Sequence, residues 1–546
     1  MTEPDLLEAT RRRLDARVAA EQRDRRLPSV TAALVRGGRT VWSGAAGHVD
    51  GIDASPEATP RTAYRIGSIT KTFVAVQVLR LRDEGHLALN DRIGRHLPEL
   101  DLDVTVAQLL SHTAGLQAET DASWWERSPG LTWTDLLASA APRLVHVPGT
   151  RFHYSNTGFA VLGELVARLR GTSWHESVVA DLLEPLGMTA TTLRPGPDAA
   201  PGLAVHPFAD VAHVEPEHDA EALAPAGQLW SSAEDLARWA AFAAGRTDDL
   251  LPSGTLEEML RPVAVSDVPR QPWTGAHALG WQVWNVGGRR FVGHGGSMPG
   301  FLAGLRVDAA TGDGVVVLAN ATSGLGPLAT DLLDLLRELE PLAGPAWTRR
   351  PGHADRLDLV GDWFWGTARY PARLEDEYLV LGEPGAGRGA RFRADADGIW
   401  VGLEGYHEGE RLAVRRDADG RPVQLTLASF VFTRTPYDPS PDGVPRRPPG
   451  PRRRPLGRAR RLRTVPGRAA DRRRARRAPR LRRRRVRARR GRGRPHPRLV
   501  VAGAPRLRPP GAGPRGRRRR RRDGDPVRAL RRGLAPGARR PPPLTS

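Results

Sequence analysis

Ser68 and Lys71 form a Ser-Ile-Thr-Lys string, which places a hydroxyl three residues before an amine. Residues three apart on a helix lie on the same face, so the Lys71 amine would lie beside the Ser68 hydroxyl. A lysine with a lowered pKa can take the proton of a serine that attacks a carbonyl carbon. The string alone is equally compatible with a helix-capping Ser68 and a solvated Lys71.

Lys71 is the only Lys among the 83 Lys and Arg residues of the chain. Arg does not give up its proton at accessible pH, whereas a buried Lys does. The chain therefore uses Arg everywhere except at the one position where an amine base is expected. Ser68 also follows Gly67 at the start of a predicted helix, where free N–H groups favour a developing oxyanion.

Two further strings could contribute chemistry. Tyr154 and Asn156 lie in Tyr-Ser-Asn on a predicted turn before a helix, and a phenol near a lysine can relay its proton. Tyr154 by itself is more often a packed aromatic residue. Gly293-His294-Gly295-Gly296-Ser297 lies between predicted strands, where glycines allow close approach of another backbone, although such a segment is usually only a turn.

Taken in order, these strings resemble the Ser-x-x-Lys, Tyr-x-Asn and Lys/His-x-Gly motifs of the serine β-lactamase and penicillin-binding-protein superfamily. The likeness is greatest to its class C-like branch of β-lactamases, D,D-carboxypeptidases, D-aminopeptidases and esterases. Leu109 to Leu116 and Pro225 to Ser232 are similar to that branch as well. The resemblance covers about residues 10–340.

The resemblance implies acyl transfer through an acyl-Ser68 intermediate. Ser68 would be the nucleophile, with Lys71 and Tyr154 sharing the general-base and general-acid roles. The remaining residues carried over by the motifs would bind substrate: Asn156, His294, Gly295, Gly296 and Ser297. The backbone N–H groups of Ser68 and Ser297 would form the oxyanion hole. His294 stands where many members have Lys, which weakens the case for a substrate carboxylate and favours neutral esters or amides.

Other histidines are weaker candidates. His112 precedes Thr113 in a predicted loop and is expected to hold backbone geometry rather than to take part in catalysis. His213 and His218 lie in an acidic loop, where a metal site is possible, but no regular ligand spacing supports one. We expect no metal and no cofactor.

The elements that position these residues follow from hydrophobic periodicity. A hairpin over 29–47 and four strands at 279–286, 289–294, 301–308 and 313–320 flank a mostly helical middle. The helices are predicted over 1–21, 68–84, 104–111, 134–140, 157–169, 232–243 and 324–339. The pattern predicts an α/β (α+β) domain over 1–345, with an antiparallel sheet assembled from both ends, flanking helices and a helical subdomain.

Two further regions follow. Residues 355–440 alternate aromatic and β-branched residues between turns, which predicts a small β-barrel domain, and they resemble the lipocalin-like domain of some superfamily members. Residues 446–546 hold 40 Arg, no Lys and three Asp, so the net charge of +22 arises there and the preceding chain is acidic. This segment is either a disordered Arg/Pro-rich tail, which could bind nucleic acid, or an out-of-frame translation product.

The sequence predicts a serine hydrolase for a small ester or amide. The alternatives are a D-amino-acid-specific peptidase, D,D-carboxypeptidase or weak β-lactamase; a slowly turning over acyl-binding sensor; and nucleic-acid binding through the Arg tail. No Cys, secretory signal or apolar run of membrane-spanning length occurs, so a cytoplasmic location without a membrane partner is expected. The oligomeric state is not predicted.

Overall fold

The computed structural model describes residues 6–121, 127–140, 142–247, 249–322, 324–344, 346–384 and 387–436. Within them the chain forms two compact units, divided between Leu357 and Asp358. The Arg-rich segment expected over 446–546 lies outside the described residues.

The first unit is built on an eight-stranded antiparallel sheet of order β2-β1-β12-β11-β10-β9-β8-β7. Its strands, with four short ones outside the main sheet, are β1 (Ser29–Arg36), β2 (Arg39–Gly47), β3 (Tyr64–Arg65), β4 (Leu203–Val205), β5 (Ala212–Val214), β6 (Trp230–Ser231), β7 (Ala264–Val265), β8 (Gly275–His277), β9 (Gln282–Val286), β10 (Arg289–Met298), β11 (Phe301–Asp308) and β12 (Gly314–Ala319).

The helices of this unit cover both faces of the sheet. They are α1 (Glu8–Asp24), α2 (Thr70–Asp83), α3 (Val106–Leu110), α4 (Trp133–Ala140), α5 (Asn156–Arg170), α6 (Trp174–Val178), α7 (Glu184–Leu186), α8 (Ala224–Gly227), α9 (Ala233–Ala243), α10 (Ser253–Leu260) and α11 (Leu328–Leu339). α1 and α11 pack on one face, and α2 and α9 contribute to the core on the other.

β1 shows why the sheet has two cores. Its side chains alternate between faces, as the period of two in a strand requires. Val30 and Leu34 join the core under α1 and α11, while Ala33 and Val35 join the core that contains α2. A strand buried on both faces is apolar throughout, and β1 is apolar over most of its length.

α2 carries the Ser-Ile-Thr-Lys string into the interior. Eleven of its fourteen residues are buried, so the helix is enclosed on nearly every side. The sequence places the start of this helix at 68, and the structure adds a 3₁₀ turn over Gly67–Ile69 before α2. Burial of α2 makes the Lys71 environment largely apolar.

The second unit is a closed antiparallel barrel of eight strands. They are β13 (Gly361–Trp365), β14 (Ala368–Glu375), β15 (Tyr378–Leu381), β16 (Ala390–Ala394), β17 (Trp400–Gly402), β18 (Arg411–Arg416), β19 (Pro422–Leu427) and β20 (Phe430–Thr433). Aromatic and aliphatic side chains, among them Trp363, Phe392 and Phe432, fill its interior. The predicted fold class, an antiparallel sheet with flanking helices followed by a small β-domain, is confirmed.

Some predicted boundaries were wrong. The strand predicted at 279–286 begins at Gln282, and the helix predicted at 324–339 begins at Leu328 after Pro327. The strand predicted at 289–294 continues to Met298, because the turn falls on Pro299 and Gly300. Gly293 to Ser297 is therefore part of a strand and not a turn.

Candidate active site

Ser68 lies in the 3₁₀ turn that connects β3 to α2. Gly67 directly before it has a φ of +53°, which favours glycine. A Cβ at Gly67 would lie 2.5 Å from the Ser297 nitrogen. Glycine at this position therefore lets the turn that carries Ser68 approach the backbone of β10.

Lys71 is fully buried and its ammonium group has three hydrogen-bond acceptors. Nζ lies 2.9 Å from Ser68 Oγ, 2.7 Å from Asn156 Oδ1 and 2.6 Å from the Ala226 carbonyl oxygen. Burial lowers the pKa of Lys71 to about 7, against a smaller opposing effect of the Glu119 carboxylate. Lys71 is thus an amine that changes protonation state near neutral pH.

Tyr154 contacts the same serine. Burial raises the pKa of its phenol well above the usual range, against a smaller opposing effect of the nearby Ser68 side chain. The Lys71 Nζ atom lies 5.0 Å from the centroid of the Tyr154 ring. Tyr154 therefore stays protonated while Lys71 titrates.

His112 holds Tyr154 in place. The two rings are stacked, with centroids 4.2 Å apart. The His112 Nδ1 atom accepts a hydrogen bond from the Ser155 backbone N–H at 3.1 Å, and its carbonyl oxygen accepts one from the His153 N–H at 2.8 Å. The side chain and the backbone of His112 thus bind the residues on either side of Tyr154, as the expected role in backbone geometry requires.

Asn156 is the first residue of α5, after the N-cap Ser155, whose side chain accepts a hydrogen bond from the Gly158 N–H. While its Oδ1 atom accepts from Lys71, its Nδ2 group donates to Glu119 Oε1 at 2.6 Å. The exposed Glu119 carboxylate is therefore connected to Lys71 through one amide side chain. Sequence reasoning assigned Asn156 to substrate and missed its contact with the lysine.

β10 presents a free edge beside Ser68. β9 pairs with β10 only as far as Gly293. Met298 and Phe301 pair across a two-residue turn. Because hydrogen-bonded and non-hydrogen-bonded pairs alternate along an antiparallel ladder, the Ser297 N–H points away from β11. The Gly295 N–H, two residues earlier, points outward too and is bound by the side-chain oxygen of Gln282 at 2.9 Å. The Ser297 N–H is thus placed near the Ser68 turn.

Close approach explains the glycines of this strand. A Cβ at Gly296 would lie 2.0 Å from the Ile66 carbonyl oxygen, so only glycine lets the strand pack against the chain that leads to Ser68. Gly295 has more room, since the nearest atom to a Cβ there is Gln282 Oε1 at 3.7 Å. Ser297 is exposed at the end of the strand.

His294 is buried and neutral. Burial and the proximity of Lys71 hold its pKa well below the usual value. Its Nδ1 atom lies 2.6 Å from the Gly295 carbonyl oxygen and donates to it, and its buried Nε2 atom has no hydrogen-bond partner in the described structure. His294 thus offers an acceptor where a lysine would offer a positive charge.

His277 was missed by the sequence analysis. It ends β8, stacks on Phe152 with ring centroids 4.2 Å apart and lies 5.3 Å from the His112 ring. Burial lowers its pKa to about 4, with a further contribution from Lys71. No motif marks this residue, because β8 is a three-residue strand without a clear pattern.

The two loop histidines do not form a metal site. His218 Nδ1 lies 3.2 Å from the buried Arg65 guanidinium, and His213 lies on the exposed strand β5. In the described ranges, no group of three or more potential ligands could hold a metal ion. None of the helices in the same ranges has the length and apolar character needed to cross a membrane.

Comparison with known proteins extends over both units. The Beta-lactamase family profile matches residues 14–338, and a domain of unknown function (DUF7586) matches residues 352–434. Protein flp of Staphylococcus aureus (strain NCTC 8325 / PS 47) is 26% identical over 322 residues, which are 56% of this chain and 62% of that protein. The chain therefore spans less than two thirds of the length of this curated relative.

Solved structures share the fold. The octameric penicillin-binding protein homologue from Pyrococcus abyssi matches with a TM-score of 0.53 and 21% identity, over 78% of this chain and all (100%) of that chain. The structure of SurE with D-Leu matches with a TM-score of 0.50 and 25% identity, over 79% of this chain and 100% of that chain. Because the family profile covers more than half of the sequence, this chain belongs to the Beta-lactamase family.

Proposed function

We propose that the protein is a serine hydrolase that cleaves a small ester or amide through an acyl-Ser68 intermediate. The observation that carries this proposal is the Ser68–Lys71 pair, with Nζ 2.9 Å from Oγ and a lysine pKa lowered by burial to about 7. About half of the lysines then carry a free lone pair near neutral pH, as a general base requires.

The contacts of Lys71 suit the neutral amine. A neutral amine has two N–H bonds, which the Ala226 carbonyl and Asn156 Oδ1 accept, and its lone pair then points at the Ser68 hydroxyl. Lys71 takes the Oγ proton as Ser68 attacks the substrate carbonyl carbon. The backbone N–H groups of Ser68 and Ser297 stabilise the negative charge that develops on the carbonyl oxygen.

Tyr154 completes the proton transfers. Because its phenol stays protonated, it can donate its proton to the alcohol or amine that leaves. The Lys71 ammonium then returns a proton to Tyr154. Water attacks the acyl-Ser68 ester in the second half of the cycle and releases a carboxylic acid and free Ser68.

The neutral state of His294 favours an uncharged leaving group. Without a positive charge at position 294, a substrate carboxylate gains no ion pair there. Neutral esters and amides therefore fit better than substrates with a carboxylate at that end.

A D-amino-acid amidase or peptidase is the second candidate, and Glu119 favours it. This exposed carboxylate accepts a hydrogen bond from Asn156, and its charge opposes the lowering of the Lys71 pKa by burial. It would attract a substrate ammonium group on the acyl side of the scissile bond. The likeness to the structure of SurE with D-Leu agrees with an amino-acid substrate.

Labelling and turnover test the proposed reaction. A fluorophosphonate probe should label the wild-type protein and the control variant Ser253→Ala, in which an exposed serine is removed. Ser68→Ala should lose both labelling and hydrolysis of p-nitrophenyl acetate. Full turnover by Ser68→Ala would refute the proposal. If the wild-type protein instead released one equivalent of p-nitrophenol rapidly and then stopped, it would be the acyl-binding sensor.

Paired substrates separate the two candidates. We would compare D-leucine amide with its N-acetyl form, alongside short-chain p-nitrophenyl esters and nitrocefin. If Glu119 binds an ammonium group, Glu119→Gln should reduce kcat/KM about tenfold for the free amine and leave the acetylated amide unchanged. Equal losses on both amides would contradict ammonium recognition without affecting the role of Ser68.

A further inference from the structure

Four chain connections meet at one end of the barrel. Successive connections of an antiparallel barrel alternate between its two ends, so those after β13, β15, β17 and β19 share one end. Each of these connections, or the strand residue next to it, brings one or two side chains of the same cluster. This cluster, here called the barrel mouth, consists of Trp365, Arg388, Tyr406, His407 and Phe430.

Arg388 occupies the centre of the barrel mouth. Its guanidinium lies 3.9 Å from the centroid of the Phe430 ring, 4.7 Å from that of Trp365 and 4.9 Å from that of Tyr406. Aromatic faces attract a cation, but they accept no conventional hydrogen bonds from its N–H groups. The buried Nη1 atom of Arg388 has no hydrogen-bond partner in the described structure.

His407 has the same deficiency. It is 1% exposed, and neither ring nitrogen has a hydrogen-bond partner within the described ranges. Its ring lies 5.8 Å from that of Phe430, and its pKa is lowered by burial and, to a smaller extent, by the charge of Arg388. More than nine tenths of buried polar groups in proteins are hydrogen-bonded, so two neighbouring unpaired side chains indicate a place for an additional polar partner.

Among the described residues, the opposite end of the barrel has no buried side-chain nitrogen or oxygen without a hydrogen-bond partner. Asp395 Oδ1 accepts hydrogen bonds from the N–H groups of Asp397 and Ile399 within one turn. Arg393 lies over the Tyr378 ring, as Arg388 lies over Phe430, but it also donates to the Tyr378 hydroxyl at 2.8 Å. The unpaired donors are thus a property of the mouth and not of the barrel as a whole.

The charges of the barrel mouth decide what kind of ligand fits. The ion pairs of the described barrel residues do not include Arg388. The Glu410 carboxylate opposes the lowering of the His407 pKa, and Glu410 is exposed to solvent. A permanent cation and a neutral imidazole N–H both require acceptor oxygens.

The rim of the mouth adds apolar surface. Tyr406 is 70% exposed and Trp365 is 36% exposed, although aromatic side chains of this size are usually buried for the most part. Their rings would cover the flat or apolar body of a ligand whose oxygens reach Arg388. The filled barrel interior leaves the mouth as the place for such a ligand.

We propose that the barrel mouth binds a small organic oxyanion, a carboxylate or phosphate on an apolar body, through Arg388 and His407. The guanidinium supplies charge-assisted hydrogen bonds to the oxyanion. The His407 N–H adds a neutral donor, and the rings of Trp365 and Tyr406 pack against the apolar body. This site is separate in chemistry from the Ser68 reaction and does not depend on it.

Calorimetric titration of the full chain tests this site. The probes are benzoate, phenyl phosphate and the neutral control benzyl alcohol. We expect saturable binding of at least one anion and none of benzyl alcohol. Stronger binding of benzoate identifies a carboxylate ligand, and stronger binding of phenyl phosphate identifies a phosphate ligand.

Two matched arginine variants assign the binding to the mouth. Arg388→Met keeps an apolar side chain over the rings but removes the charge, and it should weaken anion binding at least about tenfold. Arg393→Met removes the stacked arginine at the other end and should leave binding unchanged. Equal binding by wild type and Arg388→Met would overturn the proposal, as would the absence of saturable binding for both anions.

A second variant covers the case in which Arg388→Met does not fold. Arg388→Lys keeps the charge and the contact with the rings but loses the planar fork that binds two oxygens at once. It should fold, as judged by its thermal unfolding, and bind the preferred anion several-fold more weakly. Unchanged binding by a folded Arg388→Lys, together with unchanged binding by His407→Asn, would contradict the proposed contacts.

Discussion

Two cations of this protein, the buried Lys71 and the partly buried Arg388, have opposite hydrogen-bond surroundings. Lys71 has three acceptors for its three N–H groups, whereas Arg388 lies among aromatic rings with a buried Nη1 atom that has no partner. Burial lowers the pKa of the lysine to about 7, while an arginine keeps its charge. The first site can therefore change its own protonation, and the second needs a partner from outside.

Replacing Lys71 should have the largest effect. Lys71→Arg puts a permanent cation where the reaction needs a base, so hydrolysis of p-nitrophenyl acetate should fall by about 10³–10⁴-fold. The rate constants would be measured on protein whose circular dichroism matches wild type. A loss of less than tenfold in folded Lys71→Arg would show that Lys71 is not the base.

Acidification should destabilise the first unit through its neutral histidines. His277 has a pKa of about 4 when folded and about 6.5 when unfolded. Between these values the unfolded chain binds more protons, so the free energy of unfolding decreases as the pH falls, by about 3 kcal/mol in total. Urea unfolding between pH 7 and pH 4 would measure this slope.

A matched pair of variants isolates the contribution of His277. His277→Gln should flatten the decrease with falling pH, whereas His213→Gln, on an exposed strand, should not. His112 and His294 shift in the same direction, so part of the decrease should remain in His277→Gln. Identical slopes in wild type and His277→Gln would contradict the assignment.

Tyr154→Phe should have a smaller effect on turnover than Lys71→Arg. The variant keeps the ring stacked on His112 and removes only the hydroxyl that contacts Ser68. We expect kcat to fall about 10–100-fold, with the melting temperature nearly unchanged. A normal kcat would mean that Lys71 alone passes protons to the leaving group.

Arg388→Met should change stability least. No described carboxylate pairs with Arg388, so its removal leaves no buried charge behind, and the loss of the aromatic contact should cost about 1 kcal/mol. Arg36→Met is the contrasting variant, since it would leave the buried Asp313 without its partner; a loss of about 3–5 kcal/mol is expected. Chemical unfolding would measure the free energy of unfolding of both variants. Equal losses would contradict the expectation that removing a paired cation costs more stability than removing an unpaired one.

The sequence predicted the parts of the site that depend on local spacing. Ser68 and Lys71 lie together because they are three residues apart at a helix start, and the solitary lysine indicated its chemistry. The Tyr-Ser-Asn and His-Gly-Gly strings were recognised by their resemblance to family motifs. The structure brings Lys71 and Tyr154 to Ser68, joins Asn156 to Lys71 and places the Ser297 backbone beside Gly67.

What the sequence did not predict depends on contacts between distant segments. His277 reaches the site through a three-residue strand between β7 and β9, and Glu119 does so through Asn156. The extent of β10 was missed because glycines are typical of turns, whereas here they permit close backbone contact inside a strand. At the barrel mouth, residues from four connections meet, and no local pattern marks such a cluster.

The order of the strands in the main sheet has a consequence for biosynthesis. β1 pairs with β12, so residues near 30 contact residues near 319. Contacts this far apart in sequence form late, and a nascent chain on the ribosome lacks β12 until almost the whole unit has been synthesised. β1 can pair with β2 as soon as both are synthesised, but its other edge must wait for β12 through most of translation, which exposes an apolar strand edge that a chaperone could protect.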